Sequence, residues 1–207
     1  MNLGSIFNYD NKFFQFINQM ADCIFVSLLF LVCSIPVITA GTAATALYYT
    51  VNKAIIHGEG YVFRSFIKAF RTNLKQTVIL WLISLGLLGF LFIDLYLTYQ
   101  MLVSKMPVGY LFYFFLVFFV FLSVWICYLF AYTARFENTT KEILKNVTLI
   151  FIAHLPFTLL IAVILLLAAG LLYLVLPTVL IVPAAVMVSI NPLLERIFRK
   201  YMRTQES

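Results

Sequence analysis

The sequence predicts an all-α fold, a polytopic transmembrane helical bundle forming a single integral membrane domain over 1–207. Three observations predict it. Apolar residues make up 64% of the 207-residue chain and charged residues 11%, against about 45–50% and about 25% in an ordinary soluble domain. The intervals Cys23–Asn52, Gln76–Ile93, Met106–Ala134 and Asn146–Leu194 hold no Asp, Glu, Lys or Arg, and a spanning helix needs about 20 mainly apolar residues. The Lys and Arg residues gather between those intervals, as in the loops of membrane proteins.

These intervals predict strong spans near 23–43, 76–98, 108–132, 147–168 and 172–191. The last two share one long interval and require a tight turn near Gly170–Pro177. The first interval is ambiguous. Pro36 and Gly41 bracket a helix break, so 23–43 is either one span or a hairpin of helices over about 11–34 and 41–57. The bundle has five spans in the first case and six in the second. In the hairpin, Asp22 falls opposite Lys53 and the two would pair. The opening segment makes a poor signal peptide, because Asp10 and Asp22 offset Lys12 and the hydrophobic run is too long.

Orientation follows from the bases. With five spans, twelve of the fourteen Lys and Arg fall on one side, which predicts cytoplasmic basic loops and a cytoplasmic C-terminus. Six spans give thirteen to one and move the N-terminus to the inside. Charge therefore does not choose between the two models.

The strongest local pattern is Arg64, Lys68, Arg71 and Lys75. At helical spacing all four lie within about 60° of arc, with Val62, Phe63, Phe66, Ile67, Phe70 and Leu74 opposite. This predicts an amphipathic basic helix over 61–75, set off by Gly58-Glu59-Gly60. The tail over 195–207 repeats the theme with Arg196, Arg199, Lys200 and Arg203. Both segments are candidates for contact with anionic phospholipid, each base contributing about 1 kcal/mol near such a surface, or with a cytoplasmic partner. Thr139-Thr140-Lys141-Glu142 has capping-box spacing, and Glu137, Lys141 and Lys145 stand four apart, which favours pairing along a helix.

Asp22, Lys53, Asp94 and His154 are the candidate intramembrane polar sites, since ionisable side chains in spans are functional candidates. Pro156 frees a backbone carbonyl able to accept a proton from His154. The small residues from Ala40 to Ala46 predict close helix packing, with a substrate-lining kink as the alternative. Cys23, Cys33 and Cys127 lack paired spacing and read as packed apolar side chains. No metal ligand cluster, cofactor motif, nucleophile elbow, phosphate loop or catalytic carboxylate pair is present, so no catalytic residue is assigned and the chain is read as non-enzymatic. The bases lack a soluble setting with interleaved stacking aromatics, so nucleic acid is not an expected partner.

Leu31-Val32-Cys33-Ser34-Ile35-Pro36-Val37-Ile38-Thr39-Ala40-Gly41 with Ala46-Leu47-Tyr48-Tyr49 resembles the opening of the YesL-like bacterial membrane proteins. Gly60-Tyr61-Val62-Phe63-Arg64-Ser65-Phe66 with Phe70-Arg71-Thr72-Asn73 is a second match. Ala134-Arg135-Phe136-Glu137-Asn138-Thr139 with Leu144-Lys145-Asn146 is a third. The resemblance implies an integral protein of the bacterial plasma membrane with no assigned activity. Members of that family occur with carbohydrate uptake and sugar-sensing systems in Gram-positive bacteria. It thus implies an accessory or regulatory role beside a carbohydrate transporter or sensor; a small oligomeric transporter or channel is the alternative.

Overall fold

The computed structural model describes residues 12–205, and all regular structure in that range is helical. Helix α1 covers Lys12–Ser34 and α2 covers Ala40–Thr50, continuing as a π-helical turn through Val51–Ile56. Helix α3 runs over Val62–Val103, α4 over Leu111–Thr133 and α5 over Thr140–Ala153. Helices α6, Leu155–Leu174, and α7, Val182–Gln205, close the chain. Among the described residues, four stretches are long and apolar enough to cross a membrane: Ile17–Ser34, α3, Pro107–Thr133 and α6.

The hairpin reading of the first interval matches the backbone. Pro36 is extended, with φ −73° and ψ 111°, and a proline disfavours helical backbone in the residue before it. The Thr39 hydroxyl donates to the Cys33 and Pro36 carbonyls at 2.7 and 2.9 Å. The Cys33 carbonyl lies in the last turn of α1, where carbonyls lack helical donors, and the Pro36 carbonyl also accepts the Thr39 amide at 2.9 Å. Residues 1–11, whose side of the membrane the hairpin would decide, lie outside the described residues.

The basic segment is no separate helix. Helix α3 runs unbroken from Val62 to Val103. It starts after Gly58 and Gly60, whose φ values of 68° and 84° suit glycine. Its N-terminal half packs against the hairpin: Phe25 meets Phe63, Thr42 shares a 2.7 Å hydroxyl bond with Thr77, and Trp81 Nε1 donates to the Val37 carbonyl at 2.6 Å. Its C-terminal half runs beside the antiparallel α4, where Trp81 meets Phe130 and Tyr99 meets Phe112.

The expected span over 147–168 is broken. His154, with φ −118° and ψ 42°, separates α5 from α6. Pro156 explains the bend, because its ring and missing N–H prevent α5 from continuing. The following turn lies later than Gly170: α6 continues through that glycine, and the reversal is the short 3₁₀ segment Leu176–Leu180.

Two apolar cores result. One joins Leu80, Tyr128, Leu129, Tyr132, Ile143, Val147, Ile161, Leu194 and Phe198 from α3 through α7. The other joins Val26, Ala43, Leu47, Val51, Ile55, Val62, Phe66 and Ala184 from the hairpin, the start of α3 and the start of α7. Helix α7 touches both. Its early amide at Ala184 donates to the Ser27 hydroxyl of α1 at 3.1 Å.

Candidate functional site

A polar hub lies where the two cores meet. Glu195 of α7 is 6% exposed, so its carboxylate needs partners to be tolerated there. Arg135, just beyond α4, supplies two: Nε lies 2.9 Å from Oε1 and Nη2 lies 2.9 Å from Oε2. This is the two-pronged geometry in which guanidinium and carboxylate pair most strongly. Asn52 Nδ2 and the Tyr48 hydroxyl donate to Oε1 at 2.8 and 3.1 Å. One carboxylate thus ties the hairpin, the end of α4 and α7 together.

The π-helical turn sets the hub's edge. Its widened ladder brings the His57 amide to the Asn52 carbonyl at 3.3 Å, and His57 Nδ1 reaches the same oxygen at 2.6 Å. Such turns recur at functional sites because they re-aim side chains without ending the helix. Beside the hub opens a polar cleft of about 320 Å³, lined by Tyr49, Asn52, Lys53, His57, Glu59 and Arg135. A second cleft, about 470 Å³, lies against α7 and is lined by Ile56, His57, Val188, Asn191, Pro192, Glu195, Arg196 and Arg199. A third, about 430 Å³, is apolar and lies between α3 and α4 near Phe90, Phe121 and Trp125.

The structure scatters the sequence-derived candidates. Arg64, Lys68, Arg71 and Lys75 are all exposed, as their shared arc requires, and Val62, Phe66 and Ala69 opposite them are buried. Val62, Phe66 and Ala69 of the apolar face pack against the molecule's own hairpin. Phe63, placed on that face by spacing, is exposed. Arg196, Arg199 and Lys200 are exposed, while the side chain of Arg203 lies outside the described side chains.

Asp22 and Lys53 do not pair. The Lys53 ammonium lies over the Tyr49 ring, 5.8 Å from its centroid. The mirror argument assumed regular α-helix on both arms, and the π turn at Val51–Ile56 rotates Lys53 away. Glu137 precedes the Thr139 cap of α5, so it has no helical register with Lys141. His154 Nε2 meets the Tyr201 hydroxyl of α7 at 3.4 Å, in place of the expected backbone carbonyl. Asp94 is half-buried, and its Oδ2 has no partner among the described residues.

The capping box forms as its spacing predicts: the Thr139 amide donates to Glu142 at 2.9 Å, and the Thr139 side chain takes the reciprocal amide. That contact holds the Glu142 carboxyl below its ordinary range. Sequence reasoning missed Glu195. Its one signal was a lone acid at the end of a long uncharged interval, followed by four bases.

The family model described as "Protein of unknown function, DUF624" matches residues 23–95, the stretch holding most of the hairpin and the greater part of α3. No curated protein and no solved structure matches the chain.

Proposed function

We propose that this integral membrane protein is a non-enzymatic accessory or regulatory component, presenting a fixed basic face to anionic phospholipid and to a partner membrane protein. The observation that carries the proposal is the split of α3's first half. Arg64, Lys68, Arg71 and Lys75 are exposed on one side, and Val62, Phe66 and Ala69 are locked against the hairpin on the other. A face on a helix held this firmly is suited to docking, because little backbone freedom remains to be lost on contact.

The distribution of Lys and Arg supports a cytoplasmic position for that face. The resemblance to YesL-like proteins supports the bacterial plasma membrane, and a carbohydrate transporter or sensor as the partner. A filled hairpin supports the accessory role over a conducting one. Thr42 and Thr45 are fully buried, and a Cβ added at Gly41 would come within 2.6 Å of Trp81 and 2.7 Å of Phe130. One observation favours a small oligomeric transporter as the second reading: the polar cleft beside Lys53 and Arg135 has the size of a small-solute site.

Affinity purification from native membranes in mild detergent tests the proposal. A carbohydrate transporter subunit should co-purify and be lost when the four α3 bases are replaced by Gln. Vesicle binding should weaken in the same variant. Recovery of no transporter subunit, with vesicle binding unchanged by the replacements, would overturn it. Solute flux by the purified protein in proteoliposomes would favour the second reading.

A further inference from the structure

The cleft of about 470 Å³ against α7 differs in chemistry from the polar cleft beside it. Ile56, Val188 and Pro192 make one part of its lining apolar. Arg196 and Arg199, one helical turn apart and both exposed, make another part cationic. Neither arginine has a carboxylate partner among the described residues, because the adjacent Glu195 is already held by Arg135 through both oxygens. Two guanidinium groups at this spacing can share one phosphate.

One unmet hydrogen-bonding demand, and one carbonyl without its regular helical donor, lie in the same wall. Asn191 is 2% exposed, and its Nδ2 has no partner among the described residues. A buried donor left unmade costs about 1–3 kcal/mol, and a phosphate or ester oxygen would satisfy it. Pro192 sits inside α7 and brings no N–H, so the Val188 carbonyl one turn earlier loses its regular helical donor.

We infer that this cleft is a binding site for a single anionic phospholipid, with its phosphodiester on Arg196, Arg199 and Asn191 and its acyl stem along Ile56, Val188 and Pro192. The apolar part of the lining selects a lipid over free phosphate. A soluble anion would leave Ile56 and Val188 facing water, whereas an acyl chain covers them. The placement of the site fits the same source: the arginines border the end of the Asn146–Leu194 uncharged interval, and bases that flank apolar intervals sit at headgroup level. The inference rests on the reading that the basic tail contacts lipid, and it adds a defined site with a stoichiometry of one.

Native mass spectrometry of the detergent-purified full chain tests it. The protein should retain one phospholipid. The double variant Arg196→Gln/Arg199→Gln should lower that occupancy at least fivefold. Val188→Trp, which fills the cleft and leaves every charge in place, should do the same. The pair Lys141→Gln/Lys145→Gln on exposed positions of α5 removes the same charge away from the cleft and should leave occupancy unchanged. Monodisperse elution of each variant shows that the fold is kept, and the arginine pair is exposed, so its loss should not disturb the core.

Retention of lipid by both cleft variants would overturn the site. Equal loss in the α5 and α7 charge variants would also overturn it, leaving a diffuse basic surface that still meets lipid. Failure of the broader lipid reading is distinguishable: no basic variant would then change binding to phosphatidylglycerol vesicles. Delipidated protein separates the two phosphate sources. It should bind phosphatidylglycerol vesicles and not inorganic phosphate; saturable binding of inorganic phosphate that requires Arg196 and Arg199, with none to vesicles, would make this a free-phosphate site.

Discussion

The two halves of α3 are one continuous helix under different constraints. From Val62 to Thr77 it buries Val62, Ser65, Phe66, Ala69 and Thr77, and it sets four bases on the other side. From Val78 to Val103 it buries only Leu80, Ser84 and Thr98 and exposes Ile79, Leu82, Phe90, Phe92, Ile93 and Tyr96. The first half has the pattern of a helix in water packed on a protein. The second has the pattern of a helix in lipid, apolar outward and small or polar inward. At about 1.5 Å per residue, its 42 residues extend about twice the thickness of a roughly 30 Å hydrocarbon core. The contrast shows that the hairpin and α4 take successive lengths of the same helix, with Trp81 touching both.

Breaking the hub should affect this division most. Arg135→Ala leaves the Glu195 carboxylate buried without its countercharge, and the fold should lose about 3 kcal/mol, read as a lower unfolding midpoint in detergent. The double variant Arg135→Met/Glu195→Met should recover at least half of that loss, because a buried pair removed together leaves no stranded charge. Equal destabilisation by single and double variants would show that packing, and not charge compensation, holds the seam.

A glycine comparison sharpens the same contrast at intermediate size. Gly41→Val in the hairpin pushes a side chain into Trp81 and Phe130 and should cost about 1–3 kcal/mol. Gly86 in the second half of α3 has no atom within 4 Å of an added Cβ. Gly86→Ala should therefore be neutral or stabilise by up to about 1 kcal/mol through helix propensity. Thermal unfolding of both variants checks the pair, and a reversed order would mean that the hairpin is loosely seated.

The smallest effect concerns the cap of α5. Glu142 titrates below its ordinary range when folded, because the Thr139 backbone amide donates to it first and the Thr139 side chain second. A depressed carboxylate contributes stability that is complete above its unfolded pKa and lost as pH falls through its folded pKa. Hydrogen exchange at the Thr139 amide should therefore show protection near neutral pH that declines on acidification below the glutamate range. Glu142→Ala should remove that pH dependence while leaving the hub unaffected.

The elements legible in the sequence have local causes. Pro36 and Gly41 announce the hairpin, Gly58 and Gly60 announce the start of α3, and Thr139 with Glu142 announces α5. Each signal acts within a few residues of its effect. The hub was illegible for the opposite reason: Glu195 meets Arg135, Asn52 and Tyr48 across separations of 60, 143 and 147 residues. The misplaced Asp22–Lys53 pair has a related cause, since spacing arguments presume a uniform helix and Val51–Ile56 is not one. At His154 the proline signal was present, but a hydrophobic interval long enough for two spans concealed the break.

An unbroken α3 also has a mechanical consequence. Without a proline, a π turn or another break between Val62 and Val103, the rod has no hinge at which displacement could be absorbed. Trp81, bonded to Val37 and tilted against Phe130, lies close to its midpoint and would serve as a fulcrum. At about 1.5 Å per residue, a tilt of about 10° there would carry either tip by roughly 5 Å in opposite directions. A load placed on the basic end is thereby felt as a sideways push at the far, lipid-facing end.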